Sequence, residues 1–360
     1  MTIQERKNSL KNLGKFLSQF QKDGAHKKND IPYNDIFFDA LKQLVNRAYE
    51  QNPWFTKENV LYALSNWANA LTPEKIDRWF ETENFKENPH SKKVGVVMAG
   101  NIPLVGFHDF LSVLASGHDI KAKLSSNDKL LLPLLAKYLM YLNPAYKDKI
   151  EFVDGPLKDI DAVIATGSNN TARYFDYYFG KYPHIIRKNR NSVAVLTGKE
   201  TPEELDRLAD DIMRYFGLGC RNVSKIFVPE NYDFNPLFKA LLKYKDLINY
   251  QKYANNYDYN KAVYLMSTDE HIRNSMLDNG LILLKQDSHY ASPIGTLFYE
   301  YYKDIDDVKK ILEHDKDQIQ AVVSRAPELE NTLDFGQTQS PELWDYADGV
   351  NTIAFLNKLG

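Results

Sequence analysis

At 360 residues, with 43% hydrophobic and 26% charged side chains, the chain is long enough for two cores of ordinary size and too apolar for a disordered one. Its 45 basic and 48 acidic residues nearly cancel, to a formal charge of -3, which excludes the basic footprint of a nucleic-acid binder. A single cysteine, Cys220, excludes an internal disulfide and a multi-cysteine zinc site, so any thiol chemistry rests on that residue.

The opening stretch places Leu10, Leu13, Phe16, Leu17 and Phe20 on one helical face and contains no continuous apolar run of the signal-peptide kind. To about residue 90 the pattern stays helical and aromatic, with Trp54, Trp67 and Trp79 among charged residues. From Lys93 its character changes. VGVVMA, DIKAKL, IEFVDG and DAVIAT read as strands, and VGFHDFLSVLAS, DKLLLPLLAKYLMYL and NTARYFDYYFGKY as helices, an alternation typical of a doubly wound parallel sheet. Within the second helix, Pro133 and Lys137 interrupt the apolar run at 130–142, which is too short to cross a membrane, and a cytoplasmic location is expected.

The strand SVAVLTG follows, and then Thr201, Pro202 and Glu204 predict a helix opened by a capping box with proline at its first position. That helix is expected to stop at Gly217, leaving Cys220 on a glycine-flanked turn before the strand SKIFVP. Farther on, FNPLFKALLKY and DIDDVKKILEH read as helices, and KAVYLMS, GLILLKQ and IQAVVS as strands. The segment after residue 330 is rich in Gly, Asp and aromatics, without a clear period.

Four segments stand in the order used by the aldehyde dehydrogenase superfamily and resemble its acyl-CoA reductase branch, the LuxC-like fatty acid reductases, over roughly residues 90 to 360. Asn101, in MAGNIPLVGF, resembles the Asn-x-Pro loop whose amide, with the nucleophile's backbone N–H, forms an oxyanion hole; a neutral donor suits a developing oxyanion. Lys123, in IKAKLSS, resembles the cofactor-binding lysine, and Ser126 falls where many relatives carry a ribose-binding Glu. Thr166, Gly167 and Ser168 resemble a turn that opens a helix toward the cofactor, with Ala172 where relatives often have a second Gly. GLGCRNVSKIFVP resembles the nucleophile segment, with Cys220 as the acyl-carrying thiolate.

The resemblance implies an α/β, aldehyde-dehydrogenase-like fold of two doubly wound α/β domains with a helical N-terminal lead-in. Residues 1–192 would bind the nucleotide, 193–330 would carry the nucleophile, and 331–360 would pack back on the body or on a dimer partner. It implies NADPH-dependent reduction, with NADH less favoured, of a fatty acyl-CoA or acyl-protein thioester to the aldehyde by a homodimer that needs no metal. Where hydrolytic relatives keep a water-activating Glu, the sequence reads IIRKNRNSVAV, with Ile186 and Arg187 near that position. Glu300 is a substitute carboxylate, Ser292, Pro293 and Gly295 occupy a loop toward the cofactor, and His108, His184 and His289 are candidate proton donors. Two alternatives stay open: an acyltransferase or thioesterase using the same acyl-Cys without redox chemistry, and a non-catalytic scaffold.

Overall fold

The computed structural model describes every residue except 88, 89, 168, 268, 269, 271–273 and 360. The chain divides into two compact units, Met1–Lys188 with Pro341–Gly360, and Asn189–Ser340.

In the first unit, helix α1 (Ile3–Leu17) opens on a capping box: Thr2 Oγ1 accepts the Glu5 N–H, and the Glu5 carboxylate accepts the Thr2 N–H. Leu10, Leu13, Phe16, Leu17 and Phe20 are all 1% exposed or less, so the expected apolar face is core. The helix nevertheless ends at Leu17, and Phe20 belongs to strand β1 (Phe20–Gln21), paired with β2 (Gly24–Ala25). Helices α2 (Asn34–Gln51), α3 (Lys57–Ala70) and α4 (Pro73–Thr82) complete the lead-in. Gly14 allows α1 to approach the end of α3 closely, since a Cβ there would stand 2.2 Å from the Leu71 carbonyl oxygen.

The sheet of this unit contains β3 (Lys93–Val97), β4 (Asp119–Lys123), β5 (Ile150–Phe152), β6 (Ala162–Thr166) and β7 (His184–Arg187), with helices α5 (Phe107–Ala115), α6 (Leu131–Leu142) and α7 (Asn169–Phe179) between strands. Every pair is parallel and the spatial order is β5-β4-β3-β6-β7. Strands covered on both faces read as unbroken apolar runs, and Ala162, Val163, Ile164 and Ala165 are each 0% exposed. Pro133, the third residue of α6, costs no helical hydrogen bond, because first-turn N–H groups have no partner within the helix. Among the described residues no helix is long and apolar enough to cross a membrane.

The second unit begins with β8 (Asn191–Val195) and α8 (Pro202–Met213), whose Thr201/Glu204 capping box and leading Pro202 are as the sequence predicts. Next come β9 (Val223–Pro229), α9 (Asn235–Leu241), α10 (Gln251–Leu265), β10 (Leu277–Asp278), β11 (Leu283–Gln286), β12 (Thr296–Tyr302), α11 (Ile305–His314) and β13 (Ile319–Val323). The sheet order is β10-β11-β12-β9-β8-β13, parallel throughout except for β10 against β11.

One expected strand, KAVYLMS, is instead the end of α10. That helix is anchored by Tyr253 and Tyr257, four apart, whose hydroxyls donate to Leu281 O at 3.0 Å and Asp278 Oδ1 at 2.6 Å. Val263, Leu265 and Met266 are 46%, 51% and 82% exposed, so this apolar run does not line a core. The chain finally returns to the first unit with α12 (Thr352–Leu356). Buried His118 donates from Nε2 to Leu356 O at 3.1 Å while its Nδ1 accepts the Lys92 N–H. Its desolvation holds the ring below the usual histidine pKa, in keeping with this neutral tautomer.

Candidate active site

In the first unit the sequence-predicted residues lie along the carboxyl edge of the sheet. Asn101 is exposed on the loop leaving β3, half-buried Lys123 ends β4, exposed Ser126 follows it, and Thr166 ends β6 with Gly167 next. Ser168 lies outside the described residues. In chain order the strands run third, second, first, fourth, fifth across the sheet, so the connections diverge between β3 and β6. That is the switch point at which open α/β sheets bind dinucleotides, and Asn101 and Thr166 flank it.

The loops at this edge are tied to one another. Met98 N–H donates to Lys123 O at 3.0 Å, and Leu104 N–H to Asp128 Oδ2 at 2.9 Å. A Cβ on Gly100 would stand 2.6 Å from the Ser125 side chain, so only glycine permits this approach. Burial pushes the Asp128 carboxyl up to about 6, against the lowering effect of the Leu104 N–H. At Gly167 a Cβ would meet Phe175 at 2.9 Å and Thr171 at 3.0 Å, so glycine brings the start of α7 against the end of β6. A close strand-to-helix turn at a switch point fits a dinucleotide phosphate, because helix N-termini present unsatisfied N–H groups to anions.

Cys220 belongs to the second unit and is exposed on the turn between α8 and β9. The stop expected at Gly217 is more elaborate than a glycine cap. Helix α8 ends at Met213, and then Tyr215, Phe216 and Gly217 take positive φ of 53°, 60° and 75°. For bulky L-residues the left-handed region costs about 1–2 kcal/mol each, so surrounding contacts must hold it. Phe216, 5% exposed, stacks on Tyr250 with ring centroids 5.3 Å apart.

The second support is Asn222, 1% exposed. Its Nδ2 donates to the carbonyls of Asp211, Ile212 and Arg214 at 3.1, 3.3 and 2.7 Å, and its Oδ1 accepts the Gly219 N–H at 2.8 Å. Ser192 Oγ donates to Cys220 O at 3.1 Å. Neither Asn222 nor Ser192 carries a signal in the sequence, where an Asn near Gly and Cys reads only as a turn residue. A cavity of about 20 Å³ beside the turn, lined by Phe216, Gly217, Val223, Tyr253, Pro293 and Ile294 among others, has room for a water molecule and not for an acyl chain.

The carboxylates are engaged. Buried Arg187 pairs with Asp109 of α5 and donates to Thr352 Oγ1 at 2.9 Å. A carboxylate therefore does reach the Ile186/Arg187 position, but a guanidinium holds it. Glu300 lies 2.6 Å from buried Lys225 Nζ, which also donates to Ser288 O. Of the histidines, His108 bonds to Leu343 O at 2.9 Å and packs against Trp67, Trp79 and Tyr346. His184 and His289 are exposed, the latter 2.7 Å from Asp287 Oδ1.

The family model for acyl-CoA reductase (LuxC) matches residues 28–337. No curated protein sequence matches the chain. Among solved structures, an NADP dependent enzyme of E. coli is similar at 13% identity and TM-score 0.63, covering 92% of this chain and 75% of that one. A mutant of P. syringae AldA, an indole-3-acetaldehyde dehydrogenase in complex with NAD+ and IAA, gives 13% identity, TM-score 0.61, and 92% and 74% coverage. Aldehyde dehydrogenase 21 from Physcomitrella patens, in complex with the product succinate, gives 12%, 0.60, and 92% and 75%. At these identities the likeness concerns the fold, which is that of the aldehyde dehydrogenases.

Proposed function

The chain belongs to the acyl-CoA reductase (LuxC) family, and from that premise we propose that it reduces a fatty acyl thioester to the aldehyde with NADPH, through an acyl group carried on Cys220. It is an oxidoreductase of the aldehyde-forming or aldehyde-handling kind. The first unit is assigned the nucleotide and the second the nucleophile.

The observation that carries the reading is the placement of the chain's one cysteine, exposed on a turn whose backbone is fixed by Asn222 and Ser192. In the proposed reaction the Cys220 thiolate attacks the acyl carbon, the Asn101 carboxamide donates to the oxyanion, and the donor thiolate leaves. When bound, the reduced nicotinamide supplies hydride to the acyl carbon. Collapse of the resulting thiohemiacetal regenerates the Cys220 thiolate and frees the aldehyde. At the carboxyl edge of the first sheet, Lys123 is assigned the 2′-phosphate, and Thr166, Gly167 and Ser168 the turn that meets the dinucleotide.

Water must not compete for the acyl group. Asp109 and Glu300 are occupied by Arg187 and Lys225, which leaves neither suited to general-base work. Such assistance is commonly worth ~10²–10⁴-fold in rate, so the acyl-enzyme is expected to outlast hydrolysis. The experiment pre-loads the protein with radiolabelled acyl group from an acyl-CoA, maps the label to Cys220, and splits the sample. With NADPH the label should leave as aldehyde; without cofactor it should persist. Rapid release of free acid in the cofactor-free half would move the assignment to a thioesterase.

A further inference from the structure

The Cys220 turn contains a device that the acyl-transfer chemistry does not itself require. At the end of α8 the last carbonyls lack intrahelical partners, and the chain does not satisfy them with a glycine cap, because it turns left-handed at Tyr215 and Phe216 first. A single side chain takes over. The Asn222 carboxamide donates to three carbonyls in or next to the last turn of α8 and accepts the N–H of Gly219, immediately before Cys220, while Asn222 N–H closes the turn on Gly219 O at 2.9 Å.

The chemistry of this position selects the residue. One planar head group must offer donors on one side and an acceptor on the other, at full burial. A carboxylate would turn its oxygens on the carbonyls, a hydroxyl has a single proton to give, and an apolar isostere would leave buried polar groups unpaired. Ser192 fixes Cys220 O from β8, so the backbone on both sides of the Cys220 Cα is held by a side chain of the same unit.

We propose that Asn222 is a positioning residue for the nucleophile: its carboxamide locks the 214–222 backbone so that the Cys220 thiolate is presented in one attack geometry. The proposal rests on the reading of Cys220 as the acyl-carrying residue. Asn222 touches neither thiol nor substrate in this scheme, and acts through Gly219 and the left-handed run.

The test uses the intact protein with Asn222→Ala, Asn222→Asp, Cys220→Ser and the control Val308→Ala, which opens the core of the same unit at a residue 0% exposed on α11. For each, single-turnover acyl transfer from tetradecanoyl-CoA is followed by intact mass over a range of substrate concentrations. Alkylation of Cys220 by iodoacetamide and the thermal midpoint are measured alongside. A displaced nucleophile typically loses on the order of a hundredfold, so Asn222→Ala should acylate ten to a hundred times more slowly at saturation, with little change in half-saturating acyl-CoA. Alkylation by the small, orientation-tolerant reagent should stay within about threefold. Asn222→Asp should recover relative to wild type as pH falls, because its neutral carboxyl regains a donor. Acylation of Asn222→Ala within twofold of wild type, or a loss matched by Val308→Ala at equal thermal midpoint, overturns the proposal while Cys220→Ser still shows that the thiol is needed. Undiminished acylation of Cys220→Ser overturns the underlying reading, and the proposal with it.

Discussion

The two larger sheets, the first parallel and the second parallel except at β10, carry their candidate chemistry at different ends of their strands. In the first, Lys123 and Thr166 end their strands and Asn101, Ser126 and Gly167 follow theirs, at the carboxyl edge around the point where the order β5-β4-β3-β6-β7 reverses direction. In the second, Cys220 precedes β9, on a turn held by side-chain hydrogen bonds and two left-handed aromatic residues. The first arrangement is topological: an open α/β sheet creates a crevice at its carboxyl edge whatever its sequence. The second is a local construction that depends on particular side chains, so substitutions in the two regions should fail in separable ways.

The largest separation is expected from Cys220→Ser. Removing a covalent nucleophile costs many orders of magnitude, and here acyl transfer should fall by roughly 10⁴-fold or more. Because the residue is exposed, stability should move by no more than about 0.5 kcal/mol, and NADPH affinity by fluorescence titration should be unchanged. A variant that lost dinucleotide binding as well would break the division of labour between the units. Next in size is Asn101→Ala, which deletes a proposed oxyanion donor and should lower single-turnover acylation by about 10²–10³-fold. Its exposure on the β3 loop predicts an unaltered thermal midpoint, and acylation at the wild-type rate would remove Asn101 from the machinery.

The contrast also explains what could be read from sequence. The strands of the first sheet announce themselves because burial on both faces demands runs such as VGVV and AVIAT, and α8 announces its start through Thr201, Pro202 and Glu204. Loop residues after such strands are then placed by counting. The Cys220 turn resists this, since nothing in Tyr215-Phe216 signals a positive φ; the supporting contacts come from Asn222, later in the same turn, and from Tyr250, about thirty residues on. The same holds for the return of residues 341–356 to the first unit, fixed by His108, His118 and Arg187 from distant positions. KAVYLMS reads as a strand and folds as helix for the complementary reason, because its apolar residues Val263, Leu265 and Met266 lie outside the core.

Asp128 gives a prediction of intermediate size that belongs to the first region alone. Its carboxyl rises from 3.8 to about 6 in the fold, chiefly through burial, so folding favours the neutral acid. That contribution is complete below the unfolded value and is lost as pH rises through about 6, a change of up to about 3 kcal/mol. Asp128→Asn keeps an acceptor for the Leu104 N–H without the buried charge. It should match wild type in urea midpoint near pH 4 and exceed it above pH 7. Equal midpoints at both pH values would show that Asp128 is solvated after all.

The smallest effect concerns which dinucleotide is used. β4 is the second strand in chain order and lies beside β3, the place from which dinucleotide folds reach the adenosine ribose; an acidic residue there hydrogen-bonds the free 2′-hydroxyl and repels a 2′-phosphate. Here β4 ends in half-buried Lys123, and exposed Ser126 stands on the following turn. The nearby carboxylates have other partners: Asp128 is turned inward on the Leu104 N–H, and Glu151 is 3.7 Å from Lys121. Asp154, past the end of β5, is 3.6 Å from Lys129, so among the described residues no acid is paired with Lys123; a lysine ammonium so placed favours the extra phosphate, and a charge-assisted contact of about 1.5 kcal/mol corresponds to roughly tenfold. Wild type should therefore prefer NADPH over NADH by about that factor in kcat/KM. Lys123→Ala should bring the two cofactors level, chiefly by weakening NADPH, and raised salt should narrow the wild-type gap because an ammonium–phosphate contact near solvent is screened. Acyl loading of Cys220 without cofactor should stay within twofold in the same variant, since Lys123 is assigned to the dinucleotide and only Asn101 and the Cys220 turn to the proposed acyl transfer. A wild-type preference for NADH would overturn the assignment of Lys123. A loss of acyl loading in Lys123→Ala would mean that Lys123, like Asn101, also serves the thioester, and its assignment to the dinucleotide alone would fall.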